Sequence, residues 1–418
     1  MDLLSIGDAA RFIAEHTIVE QPIGAVGLEI EAHCFDLGDP RRRPDWEELT
    51  AIIAALPTLP GGSLVSVEPG GAVELSGPPA ADVGAAIAAM QADRRVVSSE
   101  FGSHGMGLVL SGTDPLRPGR RVNPAPRYRA MEQFFAARGS ATAGTAMMTS
   151  TAALQVNLNA GPRHQWAERI ALAHALGPTM IAITANSPML NGRFTGWIST
   201  RQRIWRELDA LRCGPFYTGY GDPADQWAHY ALTAPVMLVH TPQALGVTDR
   251  VPLADWIEGR TALGGRLPTT ADIEYHLSTL FPPVRPKGWL EIRYLDSVPD
   301  ALWPTVVFIL TTLLDDPELA AIAATATEPV ATAWDRAARI GLTDPALRRA
   351  ALTCVTAAAH RAPPPLAESV LALADSITQG RSPADDFTDR IAQLGIRSAI
   401  IESARTESID PLAPTGIS

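Results

Sequence analysis

In four short stretches of the chain apolar residues alternate with polar ones, and between these stretches they recur every third or fourth position. The first alternation is Val26-Gly27-Leu28-Glu29-Ile30-Glu31-Ala32. Successive side chains of a strand point to opposite faces, so Val26, Leu28, Ile30 and Ala32 line one side. Glu29 and Glu31 line the other, about 7 Å apart. The second is a hairpin about Pro69-Gly70-Gly71, where Val73 and Leu75 oppose Ala72, Glu74 and Ser76 and the carboxylates Glu68 and Glu74 flank the turn. The third, residues 152–159, puts Gln155, Asn157 and Asn159 on one face. The fourth, residues 289–294, sets Glu291 and Arg293 against Leu290, Ile292 and Tyr294.

Helical spacing predicts helices over residues 6–16, 46–55, 82–101, 127–137, 166–184 and 199–211. Asp45 suits the N-cap of the second, and Gly177-Pro178 should disturb the fifth. Residues 38–44, 115–126 and 186–197 read as loops, and 102–112 as a loop feeding a buried strand. After Pro299 the chain is Ala/Leu-rich and helical to about residue 404, and residues 406–418 read as a frayed tail. Antiparallel strands with helices inserted between them imply an α+β fold with one large sheet. No linker intervenes, so the expectation is a single catalytic domain over 1–418, with a sheet-containing core (1–300), a helical region (301–405) and the tail (406–418).

Composition narrows the function classes. Hydrophobic residues make up 46% and charged residues 19% of the 418, as in a globular chain with a large core. With 34 Lys and Arg against 45 Asp and Glu the net charge is −11, and no basic block carries interleaved aromatics, which argues against a nucleic-acid partner. The Arg41-Arg42-Arg43 cluster reads as solvated loop surface. Cys34, Cys213 and Cys354 are odd in number and far apart, fitting neither a disulfide framework nor a metal spacing. Residues 1–14 lack a basic start with an apolar core, and the apolar run 302–314 falls short of the roughly 20 residues of a membrane span. The expectation is a soluble cytoplasmic protein without membrane partners, a monomer or small homo-oligomer.

If the four alternating strands are neighbours, their polar faces form a trough of carboxylates, amides and an arginine. Carboxylate oxygens suit magnesium or manganese, and a metal-lined trough binds polyphosphate, which is what phosphoryl transfer requires. Each strand alone also fits a sheet with one wet face. Competing motifs are missing: no GxxxxGK[ST], HExxH or GxSxG occurs. His33 shares the Glu29 and Glu31 face and reads as a strand-end histidine with a local partner. Arg201 and Arg203 open a helix, as a solvated face or as an anion clamp.

At these residues the chain resembles the glutamate–cysteine ligase family, in the branch that holds the plant enzymes and the actinobacterial ligases of ergothioneine biosynthesis. The matching segments, in the family's order, are Val26-Gly-Leu-Glu-Ile-Glu, Ser66-Val-Glu-Pro-Gly-Gly-Ala-Val-Glu-Leu-Ser-Gly, Arg127-Tyr-Arg-Ala-Met, Thr151-Ala-Ala-Leu-Gln-Val-Asn-Leu-Asn, Phe194-Thr-Gly-Trp-Ile-Ser-Thr-Arg and Trp289-Leu-Glu-Ile-Arg-Tyr-Leu-Asp. The resemblance implies a glutamine-synthetase-like, mainly antiparallel curved sheet with flanking helices. It implies ATP-dependent joining of the L-glutamate side-chain carboxylate to the L-cysteine amine through an acyl phosphate, with magnesium or manganese. Carried across, Glu29, Glu31, Glu74 and Glu291, then Glu68, hold metal, and Gln155 and Asn157 line the cofactor site. Arg293 and Arg201 contact phosphate, Arg201 and Arg127 bind the substrate carboxylate, and Trp197 walls the cysteine pocket. Gln155 stands where some bacterial branches have a histidine ligand, and no cysteine pair matches the regulatory disulfides of the plant enzymes, so no redox switch is expected. The alternatives are a ligase of the same fold with another amine acceptor, and a catalytically silent binding protein.

Overall fold

The eleven-residue strand β1 (Val26–Asp36) is the axis of the sheet, long enough to pair along both edges. The computed structural model describes residues 5–217 and 219–406, so the expected tail lies, from residue 407 onward, outside the described residues. After β1 come β2 (Leu64–Val67), β3 (Ala72–Ser76), β4 (Met106–Val109) and β5 (Ala153–Leu158). Two short ribbons stand apart, β6 (Met189–Leu190) with β7 (Arg193–Phe194) and β8 (Leu238–Val239) with β9 (Leu245–Gly246). The sheet closes with β10 (Val284–Pro286) and β11 (Leu290–Asp296), in the order β10-β11-β5-β1-β3-β2, with β4 on the far end of β1. Every pairing is antiparallel. The four alternating stretches are therefore adjacent strands of an α+β fold, as expected.

Register does the rest. Glu31 lies opposite Glu74, Glu29 opposite Gln155, and Asn157 opposite both Gly27 and Glu291. Behind the sheet, Val26, Leu28, Ile30, Val73, Leu75, Leu154, Val156 and Ile292 are buried in one apolar cluster. The same cluster takes in residues of the helices from Trp303–Asp315 to Pro364–Thr378, so the helical last third shares the core of the sheet.

Between Ile292 and Leu295 the β11–β5 register shifts, because three steps along β11 match two along β5. Such a bulge bends the strand and leaves backbone groups off the ladder. Here the carbonyl of Arg293 accepts from Arg201 Nη2 (2.7 Å) and that of Tyr294 from Gln202 Nε2 (2.7 Å). The helix Thr200–Arg206 thus caps the bulge.

Several elements depart from expectation. The helix Trp166–Thr184 runs unbroken through Gly177-Pro178. Gly177 seats the Trp334 ring, where a Cβ would fall 2.1 Å from a ring carbon, and this buried packing outweighs one missing backbone bond. The single helix expected over 199–211 is two, Thr200–Arg206 and Ala210–Cys213, each capped by its own Ser199 or Asp209 side chain. The helices Ala141–Ser150, Pro223–Thr233 and Thr270–Leu277 were not expected. Among the described residues no helix is long and apolar enough to cross a membrane.

His174 and His276 are buried, with one ring nitrogen on the carbonyl of Ile170 (2.8 Å) or Ala231 (2.9 Å) and the other unpartnered. Burial, with Arg212 nearby for His276, pushes their pKa values down to about 4 and about 3. The folded values lie below the ordinary ~6.5, so this stability is full above that pH and is lost as pH falls towards 4 and 3. Urea midpoints should decline from pH 6.5 to 4.5, and less steeply in His174→Phe; an unchanged slope in that variant would contradict the assignment.

Candidate active site

The polar face of β11, β5, β1 and β3 forms the floor of a cavity of about 260 Å³. Glu29, Glu31, Glu68 and Glu74 line one half, and Arg201, Arg285, Lys287 and Arg293 the other. Gln155 joins the halves: its Nε2 donates to Glu31 Oε1 (3.2 Å), while its Oε1 accepts from Arg293 Nη1 (2.5 Å). Glu31 Oε2 accepts the Ala153 N–H (2.8 Å), and Ser66 Oγ donates to Glu74 Oε2 (2.9 Å). Glu29, Glu31 and Glu74 therefore arrive on strands with local donors on their carboxylates, and Glu68 arrives on the turn between β2 and β3.

Crowding like charges under partial burial favours the neutral acid. Burial, then Glu74, pushes the Glu31 pKa up to about 8, against the pull of Arg201 and Arg293. Glu68 is raised well above the carboxylate range by burial and by Glu74, with which it shares a hydrogen bond, and Glu29 is raised by burial, Glu291 and Glu74.

Glu68 sits on the tight turn, where Gly71 N–H donates to its carbonyl (2.9 Å). A Cβ on Gly70 would fall 2.1 Å from the Thr149 carbonyl oxygen, and Gly71 has φ +90°, so both glycines are required. Arg43 Nη1 donates to the Gly70 carbonyl (2.6 Å), and its Nη2 meets Asp114 (3.0 Å), which Arg117 also holds (2.8 Å). Of the three loop arginines expected to be solvated, Arg43 instead turns its side chain inward, 7% exposed, to the turn that carries Glu68. Its side chain reaches a carboxylate that a local reading of the loop cannot supply. His33 belongs to this cluster and not to the trough; burial lowers its pKa to about 4.

On the other side Glu291 is fully buried and caged. Arg285 binds both of its oxygens (2.6 and 2.9 Å), Arg293 adds a bond of 2.7 Å, and Lys287 lies 3.4 Å away. Burial opposes the charge, but the guanidiniums hold the carboxyl far below the ordinary range. Arg201 is 2% exposed; its Nη1 has no hydrogen bond and stands 4.0 Å from Asp296. Arg127 also keeps an unpartnered buried Nε, between the rings of Tyr128 (5.8 Å) and Tyr275 (5.6 Å).

Of the site residues expected from sequence, Glu29, Glu31, Glu68, Glu74, Gln155, Arg127, Arg201 and Arg293 line one cavity. Glu291 lies behind its cations, and Asn157 stands beside Glu29 (3.1 Å). Trp197 does not reach the trough. It packs against the apolar core, its backbone N–H tied to Thr195 Oγ1 (3.2 Å), and Trp205 on the following helix supplies the aromatic wall instead. Arg285 and Lys287 were missed. Their signal is the alternation Val284-Arg285-Pro286-Lys287 just before the fourth stretch, short and broken by a proline. A second, mostly apolar cavity of about 240 Å³ adjoins the trough and shares Trp205, Phe281 and Arg293 with it.

Magnesium fits the donor set. Glu29, Glu31 and Glu68, each raised with Glu74 beside it, are carboxylates that a divalent cation would stabilise as anions. Among the described residues no three acidic, histidine or cysteine side chains already form a metal cage.

A model of glutamate–cysteine ligase family 2 matches residues 25–413. The glutamate–cysteine ligase EgtA of Mycolicibacterium smegmatis is 65% identical over 408 residues, covering 97% of this chain and 96% of its own length. That of Mycobacterium tuberculosis is 61% identical over 396 residues, covering 94% and 92%. The solved glutamate–cysteine ligase of Francisella tularensis, in complex with AMP, superposes with a TM-score of 0.54 at 12% identity, covering 94% of this chain and 89% of that one. The curved antiparallel sheet is thus a fold shared with that ligase.

Proposed function

The chain belongs to glutamate–cysteine ligase family 2, and from that premise we propose that it joins the side-chain carboxylate of L-glutamate to the amine of L-cysteine. ATP is consumed to ADP and phosphate, and the product is γ-glutamylcysteine, made as a step towards ergothioneine in the cytoplasm. The observation that carries this reading is the meeting of four carboxylates with Arg201 and Arg293 in one cavity. One catalytic unit, with its helical last third built into the core, is the matching domain reading.

The chemistry is a phosphoryl transfer followed by an acyl transfer. The glutamate γ-carboxylate attacks the γ-phosphorus of ATP, ADP leaves, and the cysteine amine displaces phosphate from the acyl phosphate, losing a proton. Arg293 and Arg201 Nη1 face the transferring phosphoryl group and offset its charge. Arg127, its Nε unpartnered, faces the α-carboxylate of glutamate. Glu29, Glu31, Glu68 and Glu74 would hold magnesium, which, when bound, neutralises the phosphate oxygens and orients them. The adjoining apolar cavity, walled by Trp205, Phe281 and Tyr294, suits the flat base of ATP.

ADP release with ATP, magnesium and L-glutamate is the test, adding L-cysteine or other amines singly. Release that needs both glutamate and cysteine, with γ-glutamylcysteine in the mass spectrum, is expected. Release with a different amine would move the acceptor, and no release with any pair would overturn the reading.

A further inference from the structure

The indole of Trp289, 36% exposed and 5.4 Å from the Nζ of the trough-lining Lys287, is tied inward. Its Nε1–H donates to Asn157 Oδ1 (3.0 Å), and Asn157 Nδ2 donates to Glu29 Oε1 (3.1 Å). A primary amide presents oxygen or nitrogen with nearly the same shape, whereas an indole N–H only donates. Facing Trp289, the amide must therefore turn its oxygen outward and its NH₂ towards Glu29. Gly27, opposite Asn157 in the ladder, makes room: a Cβ there would lie 3.3 Å from Asn157 Cβ.

We infer that Trp289 is a positioning residue for the metal-binding carboxylates, acting through Asn157 to hold Glu29 with Oε1 engaged and Oε2 turned to the cation. The inference rests on the proposed reading of Glu29 as a metal ligand. Partners that orient a ligating carboxylate typically contribute 10- to 100-fold in metal affinity, and an amide free to flip would lose that orientation. It would also present a second acceptor to an anion.

Manganese(II) binding to the full-length protein, followed by the electron paramagnetic resonance signal of the free ion, tests this without turnover. Trp289→Phe keeps the ring and removes the N–H; it should weaken Mn²⁺ binding about tenfold, with the thermal midpoint confirming the fold. Asn157→Ala should weaken it similarly. The double variant should bind no more weakly than Asn157→Ala alone, since the indole acts only through the amide. Wild-type affinity in Trp289→Phe, or additive losses in the double variant, would overturn the inference. A wild-type protein that binds no Mn²⁺ would instead overturn the metal reading of the trough, a result distinguishable from either.

Discussion

Replacing Glu31 with glutamine is expected to lower γ-glutamylcysteine formation about a thousandfold or more while leaving the stability of the metal-free protein within about 1 kcal/mol of wild type. The two effects separate because the carboxyl plays different parts in the two states. Without a cation, burial and Glu74 push its pKa up to about 8, so at pH 7 the neutral acid dominates and an amide of the same shape replaces it at little cost. The Ala153 N–H still finds an oxygen acceptor, and the lost acceptor of Gln155 Nε2 accounts for the cost of about 1 kcal/mol. With a cation the anion is needed, and glutamine cannot supply it. Steady-state product formation and calorimetry on one preparation measure both. A variant retaining a tenth of the wild-type rate would remove Glu31 from the ligand set, and a large fall in midpoint would show the residue to be structural.

Glu291→Gln should behave in the opposite way, losing about 3–5 kcal/mol of stability together with activity. Glu291 is the counter-charge for Arg285, Arg293 and Lys287, and it is fully buried. Neutralising it leaves the buried Arg285 and half-buried Arg293 guanidiniums facing each other across β10 and β11, and Arg293 loses the bond that aims it into the trough. Urea unfolding reads the first effect and ADP release the second. If Glu291→Gln is as stable as wild type and only inactive, the carboxylate is a ligand and not a cornerstone of the arginine cage. The pair of variants therefore sorts carboxylates that a list of acidic strand positions cannot tell apart.

That distinction marks how far the sequence could be read. Alternation shows which side chains share a face, so Glu29, Glu31, Glu74 and Gln155 were legible as a polar face, and the resemblance put them in order. Alternation says nothing of what arrives from elsewhere. Arg285 lies on a three-residue strand with a proline in it, too short to show a period. Arg43 sits in a Pro-flanked loop, and only the tertiary fold brings Asp114 to it. Trp197 and Trp205 differ by eight positions, and which one faces the cavity depends on where the intervening chain becomes helical. The bulge in β11 is a mismatch between two strands, a property neither possesses alone. The helix Ala141–Ser150 has no charged residue to mark a solvent face, so its period was invisible.

The capped bulge ties together parts of the chain that inheritance would otherwise be free to vary apart. The Arg293 carbonyl is held by Arg201, 92 residues earlier, and the Tyr294 carbonyl by the adjacent Gln202. A lineage that lengthened or shortened the 186–199 loop would drag the start of that helix with it, and so displace Arg201. Acceptor choice on this scaffold should therefore drift through side chains lining the cavity, with the length of the loop conserved.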